Sequence, residues 1–171
     1  MNASEVPTGV NLALEYIALW GEAGRKGGSM RDSQRVVFVC EHGAAKSILA
    51  ATEFDALANA RGVAARAGAR GTAPASAIEP IVADRLASEG VDLGSVVPTA
   101  LSNADLEGAL RVVILNQPQL ASSIPRDISI DVWNDIPAVA DDIDRARRVI
   151  RDRVMALLDE LGSADAVNPP A

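Results

Sequence analysis

Two short runs of this chain consist entirely of apolar residues, at positions 36–39 and 112–115. A strand that is apolar on both faces is buried on both, which is typical of a parallel sheet packed between helices. Between and after these runs, apolar residues recur at helical spacing in residues 47–60 and 141–161. The sequence therefore predicts an α/β fold, three-layered and doubly wound, in which a mostly parallel four-stranded sheet carries helices on both faces.

Turn and capping residues set the remaining element boundaries. Two more strands are predicted at residues 63–67 and 128–132, and a loop is predicted at residues 68–74. Glycine is typical just after a helix, and Ser or Asp just before one, because these residues help to satisfy the free backbone groups at helix ends. The predicted helix stops are Gly62, Gly90 and Gly162, and the predicted N-caps are Ser76, Ser102, Asp141 and Asp142.

The 171 residues suit one compact domain, which we assign to residues 35–162. Residues 1–34 are interpreted as an N-terminal extension, with an amphipathic helix and a flexible linker, and residues 163–171 as a loose C-terminal tail. The apolar stretch at residues 10–20 is shorter than the roughly 20 residues that span a bilayer, and Glu15 interrupts it. We therefore expect neither a membrane helix nor a signal peptide there.

Composition narrows the possible functions. The formal net charge of -7 argues against a nucleic-acid surface, which needs clustered Lys and Arg. With one cysteine and one histidine, the chain cannot form an internal disulfide or a CxxC redox pair, and a tetrahedral zinc site would need unusual ligands. These features predict a cytoplasmic protein that binds neither nucleic acid nor a membrane.

The one cysteine, Cys40, lies where the first apolar run ends, ahead of a loop that contains Gly43 and the pair Lys46 and Ser47. Parallel sheets bind ligands at the carboxyl ends of their strands. A loop that enters a helix N-terminus turns N–H groups toward one point, where the helix dipole favours an anion. A thiol held there beside a cation ionises readily, so the pattern predicts a Cys40 nucleophile. A nucleotide-binding P-loop is not indicated, since Cys40 and Ala45 stand at its two glycine positions.

The order of cysteine, five residues, a basic residue and a serine in residues 40–47 resembles the loop of the low-molecular-weight protein tyrosine phosphatase superfamily, which includes related arsenate reductases. That family has arginine where this chain has Lys46. Residues 67–74 resemble the family's Ser-Ala-Gly loop, and residues 101–113 resemble the helix and strand ahead of its acid loop. The resemblance covers residues 35–162.

The resemblance implies that a thiolate on Cys40 attacks the phosphorus of a phosphomonoester, with phosphotyrosine among the candidates, and forms a cysteinyl-phosphate. It assigns Lys46 as the oxyanion cation, Ser47 as the thiolate partner and Asp135 as the general acid. Trp133 is expected to pack beside the site. No metal and no cofactor are implied. Backbone N–H groups of the predicted substrate-binding residues would hold the phosphoryl oxygens, and these residues are Glu41, His42, Gly43, Ala44 and Ala45.

Several residues keep two interpretations. Lys46 offers a point charge where a guanidinium would form a planar fork, so weaker transition-state binding is expected. Glu41 opposes anion binding unless its carboxylate faces solvent. Asp135 is either the general acid or a surface turn residue. His42 either positions an oxyanion or is solvated, and Arg70 either supplies a guanidinium to the pocket or faces solvent.

Three functions follow from these alternatives. The first is a phosphatase acting on a phosphorylated substrate, and the second is a noncatalytic module that binds an inorganic oxyanion. The third is a single-cysteine arsenate reductase that uses an external thiol as its reductant. A relay that passes a disulfide between cysteines of the same chain is excluded because Cys40 is the only one.

Overall fold

The computed structural model describes residues 34–167 and contains a sheet of four parallel strands. The predicted α/β architecture is confirmed, and the sheet is parallel throughout. The predicted helix and linker of the N-terminal extension lie outside the described residues. The strands lie in the order β2-β1-β3-β4, with β1 at Gln34–Cys40, β2 at Ala65–Gly71, β3 at Ala109–Leu115 and β4 at Ile130–Trp133.

Four α-helices and one 3-10 helix of the described chain pack on this sheet. Within residues 34–167, none of the helices combines the length and the hydropathy that a transmembrane span requires. The α-helices are α1 at Lys46–Arg61, α2 at Pro80–Ser88, α3 at Asn103–Leu106 and α4 at Ile143–Val167, and the 3-10 helix spans Pro118–Ser123.

The two faces of the sheet are covered unequally. Helices α1, α2 and α4 pack on the face that carries Phe38, whose ring centroid lies 5.8 Å from those of both Phe54 and Trp133. On the opposite face, Val37 and Val39 pack beneath the region of α3 and the 3-10 helix. Because its apolar run is packed on both faces, β1 has a fixed place at the centre of the core, and the loop that follows starts from the buried end of this strand.

Strand β2 begins and ends later than the sequence predicts. Residues 68–71, predicted as part of a loop, continue the strand, which pairs residue by residue with β1 up to Cys40 and Gly71. Main-chain hydrogen bonds hold the pairing and do not depend on side-chain size, so this edge strand tolerates residues of low strand propensity such as Gly68. Strand β3 begins at Ala109, three residues before the apolar run at 112–115, and β4 begins at Ile130, two residues after its predicted start.

Two helix boundaries also differ from prediction. Helix α2 begins at Pro80, and not after Ser76, because the proline ring presets the backbone angle of a first helical residue. Helix α4 continues through Gly162 to Val167, since one exposed glycine costs only about 1 kcal/mol and does not end a helix by itself. Of the two N-caps predicted for α4, Asp141 and Asp142, it is Asp142 whose Oδ1 accepts from the Arg145 N–H at 2.9 Å.

Asp55 is a buried carboxyl group on α1 that touches the edge of the sheet. Its Oδ1 accepts a hydrogen bond of 2.8 Å from the Ala67 N–H on β2, whereas its Oδ2 is buried with no hydrogen-bond partner. Burial raises the pKa of Asp55 to about 6, although the Ala67 N–H and the nearby charge of Arg66 act in the opposite direction. The folded state therefore binds a proton that the unfolded chain releases, and its stability falls as pH rises from 3.8 to about 6.

We expect Asp55→Asn to stabilise the protein at pH 7.5 by about 1–2 kcal/mol. The amide removes the buried charge and keeps the acceptor for the Ala67 N–H, although its own nitrogen lacks an acceptor and offsets part of the gain. Urea unfolding at pH 7.5 and pH 4.5 measures the difference, which should shrink at the lower pH. Asp84→Asn, at an exposed position on α2, is the control and should show no such pH-dependent difference. Equal curves for Asp55→Asn and the parent at both pH values would contradict this account.

Candidate active site

The loop that follows β1 turns four of its carbonyl groups toward the segment after β2. The carbonyls of Cys40, Glu41 and His42 accept from the N–H groups of residues 72, 73 and 75 at 3.1, 2.8 and 3.0 Å. The carbonyl of Ala44 accepts from Glu79 at 3.0 Å. In a trans peptide the C=O and the following N–H point in opposite directions, so the N–H groups that follow these carbonyls point away from that segment. The loop can thus present several donors to one bound oxyanion.

Gly43 lets this loop approach β2 closely. Its φ of +61° lies in the left-handed region, which glycine adopts readily because it has no Cβ. A Cβ at Gly43 would lie 2.8 Å from the Gly71 nitrogen, and a Cβ at Gly71 would lie 2.8 Å from the Gly43 nitrogen. The two glycines therefore set the distance between the loop and the sheet.

The sulfur of Cys40 lies at the base of this loop, where helix α1 begins. Cys40 Sγ is 3.2 Å from Ser47 Oγ, and both residues are buried. The N-cap residue, Ala45, gives no side-chain hydrogen bond, and the first turn of α1 carries no acidic residue. The free N–H groups and positive end of the helix dipole are therefore available to an anion beside the sulfur.

These elements form a cleft of about 190 Å³. The predicted residues Cys40, Glu41, His42, Ala44, Ala45 and Lys46 are among those that line it. Gly43 belongs to the same loop, and Ser47 contacts the sulfur. The remaining lining residues are ones that the sequence interpretation missed, namely Glu79, Leu115, Asn116 and Gln117.

Asn116 connects the cleft to the loop after β4. Its φ of +57° is unusual for a residue other than glycine, and its N–H donates to the Trp133 carbonyl at 2.9 Å. Its side-chain Nδ2 donates to the carbonyls of Ile136 at 3.1 Å and Asn134 at 3.3 Å. The signal for this residue was its place just after a buried parallel strand, where ligand-binding residues collect.

Asp135 is not among the residues that line the cleft. Its Oδ2 accepts a hydrogen bond of 2.6 Å from Arg153 on α4, and its side chain is 54% exposed. The hydrogen bond from Arg153 holds the pKa of Asp135 below its ordinary value, against the weaker effect of burial. In this arrangement Asp135 is an ionised surface residue, which does not favour the predicted general acid.

Arg70 neither enters the cleft nor faces solvent, so both predicted interpretations are wrong. Its guanidinium forms an ion pair with Asp105, in which Nε lies 2.9 Å and Nη2 lies 2.7 Å from Oδ1. Asp105 is buried, and its Oδ2 accepts from the Ser102 backbone N–H and hydroxyl in a capping box at the start of α3. Burial tends to raise the pKa of Asp105, but the hydrogen bonds from Arg70 and Ser102 outweigh burial and lower it. This cluster is structural.

The structure also shows the positions of Trp133 and His42 relative to the cleft. Trp133 is buried against Phe38, and its carbonyl contacts the cleft residue Asn116, so it packs beside the site as predicted. His42 is exposed at the cleft, which agrees with the solvated interpretation.

Comparison with known proteins gives a consistent result. A model of the family described as low molecular weight phosphotyrosine protein phosphatase matches residues 35–129, more than half of the chain. A search of curated proteins found no match. Solved structures, in contrast, match over most of the chain.

Three of these structures show the kinds of protein that share the fold. A thioredoxin-dependent arsenate reductase of Corynebacterium glutamicum is 20% identical with a TM-score of 0.65, over 80% of this chain and 65% of that one. A low molecular weight protein tyrosine phosphatase from T. tengcongensis is 20% identical with a TM-score of 0.65, over 75% of this chain and 99% of that one. The YwlE arginine phosphatase from Geobacillus stearothermophilus is 16% identical with a TM-score of 0.65, over 81% and 99%. At such identities the likeness establishes the shared fold.

Proposed function

Because the chain belongs to the low molecular weight phosphotyrosine protein phosphatase family, we propose that it hydrolyses a phosphomonoester through a covalent intermediate on Cys40. The observation that carries the proposal is the position of the Cys40 sulfur, 3.2 Å from the Ser47 hydroxyl at the base of a loop whose carbonyls are turned outward. We call the loop at residues 41–46, with its N–H donors, the oxyanion cradle. Phosphoryl transfer needs a nucleophile and such a set of donors at the same point.

In the first step the Cys40 thiolate attacks phosphorus, an S–P bond forms, and the P–O bond to the leaving group breaks. Backbone N–H groups of the loop and the charge of Lys46 stabilise the three equatorial oxygens. In the second step water attacks phosphorus, the S–P bond breaks, and inorganic phosphate leaves. The Ser47 hydroxyl donates to the sulfur and stabilises the thiolate that departs.

The leaving group needs a proton in the first step. Asp135 can donate this proton only after its ion pair with Arg153 has broken. While that ion pair holds, the leaving oxygen departs with little proton transfer. The rate should then rise steeply with the acidity of the leaving alcohol or phenol, which favours aryl phosphates over alkyl phosphates. Phosphotyrosine is accordingly the preferred candidate among phosphorylated amino acids.

A noncatalytic oxyanion-binding module is the second candidate, and two observations favour it. Lys46 stands where the family has arginine, and Asp135 is engaged by Arg153 away from the cleft. An arsenate reductase that uses glutathione or another external thiol is the third. One cysteine would suffice for it, because the external thiol would take the place of further cysteines in the chain.

One set of assays separates the three candidates. Incubation with p-nitrophenyl phosphate should give a burst followed by steady release of p-nitrophenol if the protein is a phosphatase. Tight phosphate binding without release would favour the module, and arsenate-dependent oxidation of glutathione would favour the reductase. Labelling of Cys40 by iodoacetamide near neutral pH, slowed by phosphate, is expected in every case. Labelling only at alkaline pH that ignores phosphate would refute the site.

Lys46→Arg is expected to raise kcat on p-nitrophenyl phosphate by about tenfold, because a guanidinium can hold two phosphoryl oxygens at once. Steady-state kinetics measures the change. Lys46→Gln, which removes the charge at nearly the same length, is the matched comparison and should lower kcat by at least about tenfold. A lower kcat for Lys46→Arg than for the parent would show that the loop is shaped around lysine.

A further inference from the structure

The cleft combines an anion cradle with an acidic rim. Cys40 is buried at its base, whereas Glu41 and Glu79 are exposed residues that line it. Neither carboxylate forms an ion pair with a residue in the described part of the chain. Lys46 is the one lysine or arginine among the described lining residues. The base of the cleft thus favours negative charge and its mouth favours positive charge.

Glu79 is held at a fixed distance from the cradle by the main chain. Its N–H donates to the Ala44 carbonyl at 3.0 Å, and Pro80 after it starts helix α2. Glu41 belongs to the cradle loop itself and follows Cys40 directly. A phosphoryl group bound at the sulfur would therefore have both carboxylates beside the groups that flank it.

We propose that this cleft selects phosphorylated side chains of peptide segments whose flanking residues are Lys or Arg, with Glu79 as a specificity-determining residue. The inference rests on the proposed function, because it concerns the same cleft. A flanking cation gains from the two carboxylates, whereas a flanking Asp or Glu is repelled by them. The overall net charge of -7 adds long-range attraction for a basic segment.

The test uses three phosphotyrosine peptides of equal length, flanked on both sides by Lys, by Ala or by Asp. At low ionic strength the protein should show a kcat/KM about tenfold higher for the Lys-flanked than for the Asp-flanked peptide. Half-molar NaCl should reduce this ratio to about twofold, because screening shortens the reach of exposed charges.

Glu79→Gln should lower the ratio about threefold, and Glu79→Lys should bring it to unity or invert it. Glu107→Gln is the matched control, since Glu107 is exposed, lies outside the cleft lining and changes the net charge equally. It should leave both the ratio and the hydrolysis of p-nitrophenyl phosphate unchanged. Equal kcat/KM for all three peptides would overturn the proposal, as would a Glu79→Gln protein that loses the same fraction of activity on every substrate.

A binding arm keeps this inference distinct from the proposed function. The affinity of the Cys40→Ser protein for the same peptides should follow the same order, Lys-flanked above Ala-flanked above Asp-flanked. Flank-dependent binding without any hydrolysis by the parent protein would refute the phosphatase and retain the specificity. Hydrolysis of p-nitrophenyl phosphate with no flank preference in kinetics or in binding would support the phosphatase and refute the specificity.

Discussion

Cys40→Ser is expected to lower the hydrolysis of p-nitrophenyl phosphate by at least about four orders of magnitude. A serine hydroxyl stays protonated near neutral pH, and no described group beside it in this cleft is arranged as its general base. Oxygen is smaller than sulfur, so the substitution fits the buried site without overpacking. The effect should therefore fall on the chemical step and not on folding.

Phosphate binding supplies the control for this variant. The N–H donors of the loop and Lys46 are unchanged, so phosphate affinity should stay within about fivefold of the parent value, as isothermal titration can measure. Mass spectrometry of the parent, quenched during turnover, should detect one phosphoryl group on Cys40. Unaltered turnover in Cys40→Ser would end the assignment of the nucleophile.

Local sequence signals predicted the strand and loop that carry the sulfur. The run before Cys40 is apolar on both faces, Gly43 supplies the left-handed turn, and helical spacing resumes after Ser47. Each of these is a property of a few adjacent residues, so no knowledge of distant contacts was needed.

The lining residues outside the Cys40 loop could not be predicted in the same way. Glu79 and Asn116 reach the cleft because β1 pairs with β2 on one side and with β3 on the other, which brings together segments that are far apart in sequence. The bounds of β2 were predicted wrongly for the same reason, since residues 68–71 owe their extended form to pairing with β1. Arg70 was misassigned because its buried partner, Asp105, is 35 residues away.

In the proposed phosphatase, Lys46 and the ion pair between Asp135 and Arg153 would act in the same direction. A lysine cation holds the phosphoryl oxygens less firmly than a guanidinium would, and an acid paired with Arg153 gives the leaving group little proton. For the proposed phosphatase we therefore expect weaker binding of the transition state from the first feature and slower departure of the leaving group from the second. Slow turnover is the result expected from this pair.

The approach of Gly71 to the cradle loop leads to the second large expected effect. Gly71→Ala would put a Cβ 2.8 Å from the Gly43 nitrogen, 2.9 Å from the His42 carbonyl carbon and 3.0 Å from the Glu41 oxygen. All three are main-chain atoms, so no flexible side chain can move aside. The loop must shift away from β2, although Gly71 itself stays fixed by hydrogen bonds to Thr99 and Leu101.

A displacement of this loop moves the N–H donors relative to the Cys40 sulfur, which remains on β1. Because a misplacement of about 1 Å can cost about 10²-fold in rate, we expect Gly71→Ala to lower kcat/KM on p-nitrophenyl phosphate by at least about 10²-fold. Its thermal unfolding should also show a loss of about 1–3 kcal/mol from overpacking. The loss of kcat/KM and the loss of stability both arise from steric overlap, because the substitution changes no charge.

Gly68→Ala is the matched control on the same strand, because a Cβ there would meet only the flexible Arg70 guanidinium at 3.8 Å. It should keep kcat/KM within about twofold and stability within about 0.5 kcal/mol of the parent. If Gly71→Ala behaved like Gly68→Ala in both assays, the loop would not depend on close contact with β2. The distance between Gly43 and Gly71 would then be a packing detail, and the geometry of the oxyanion cradle would have to be set by helix α1 alone.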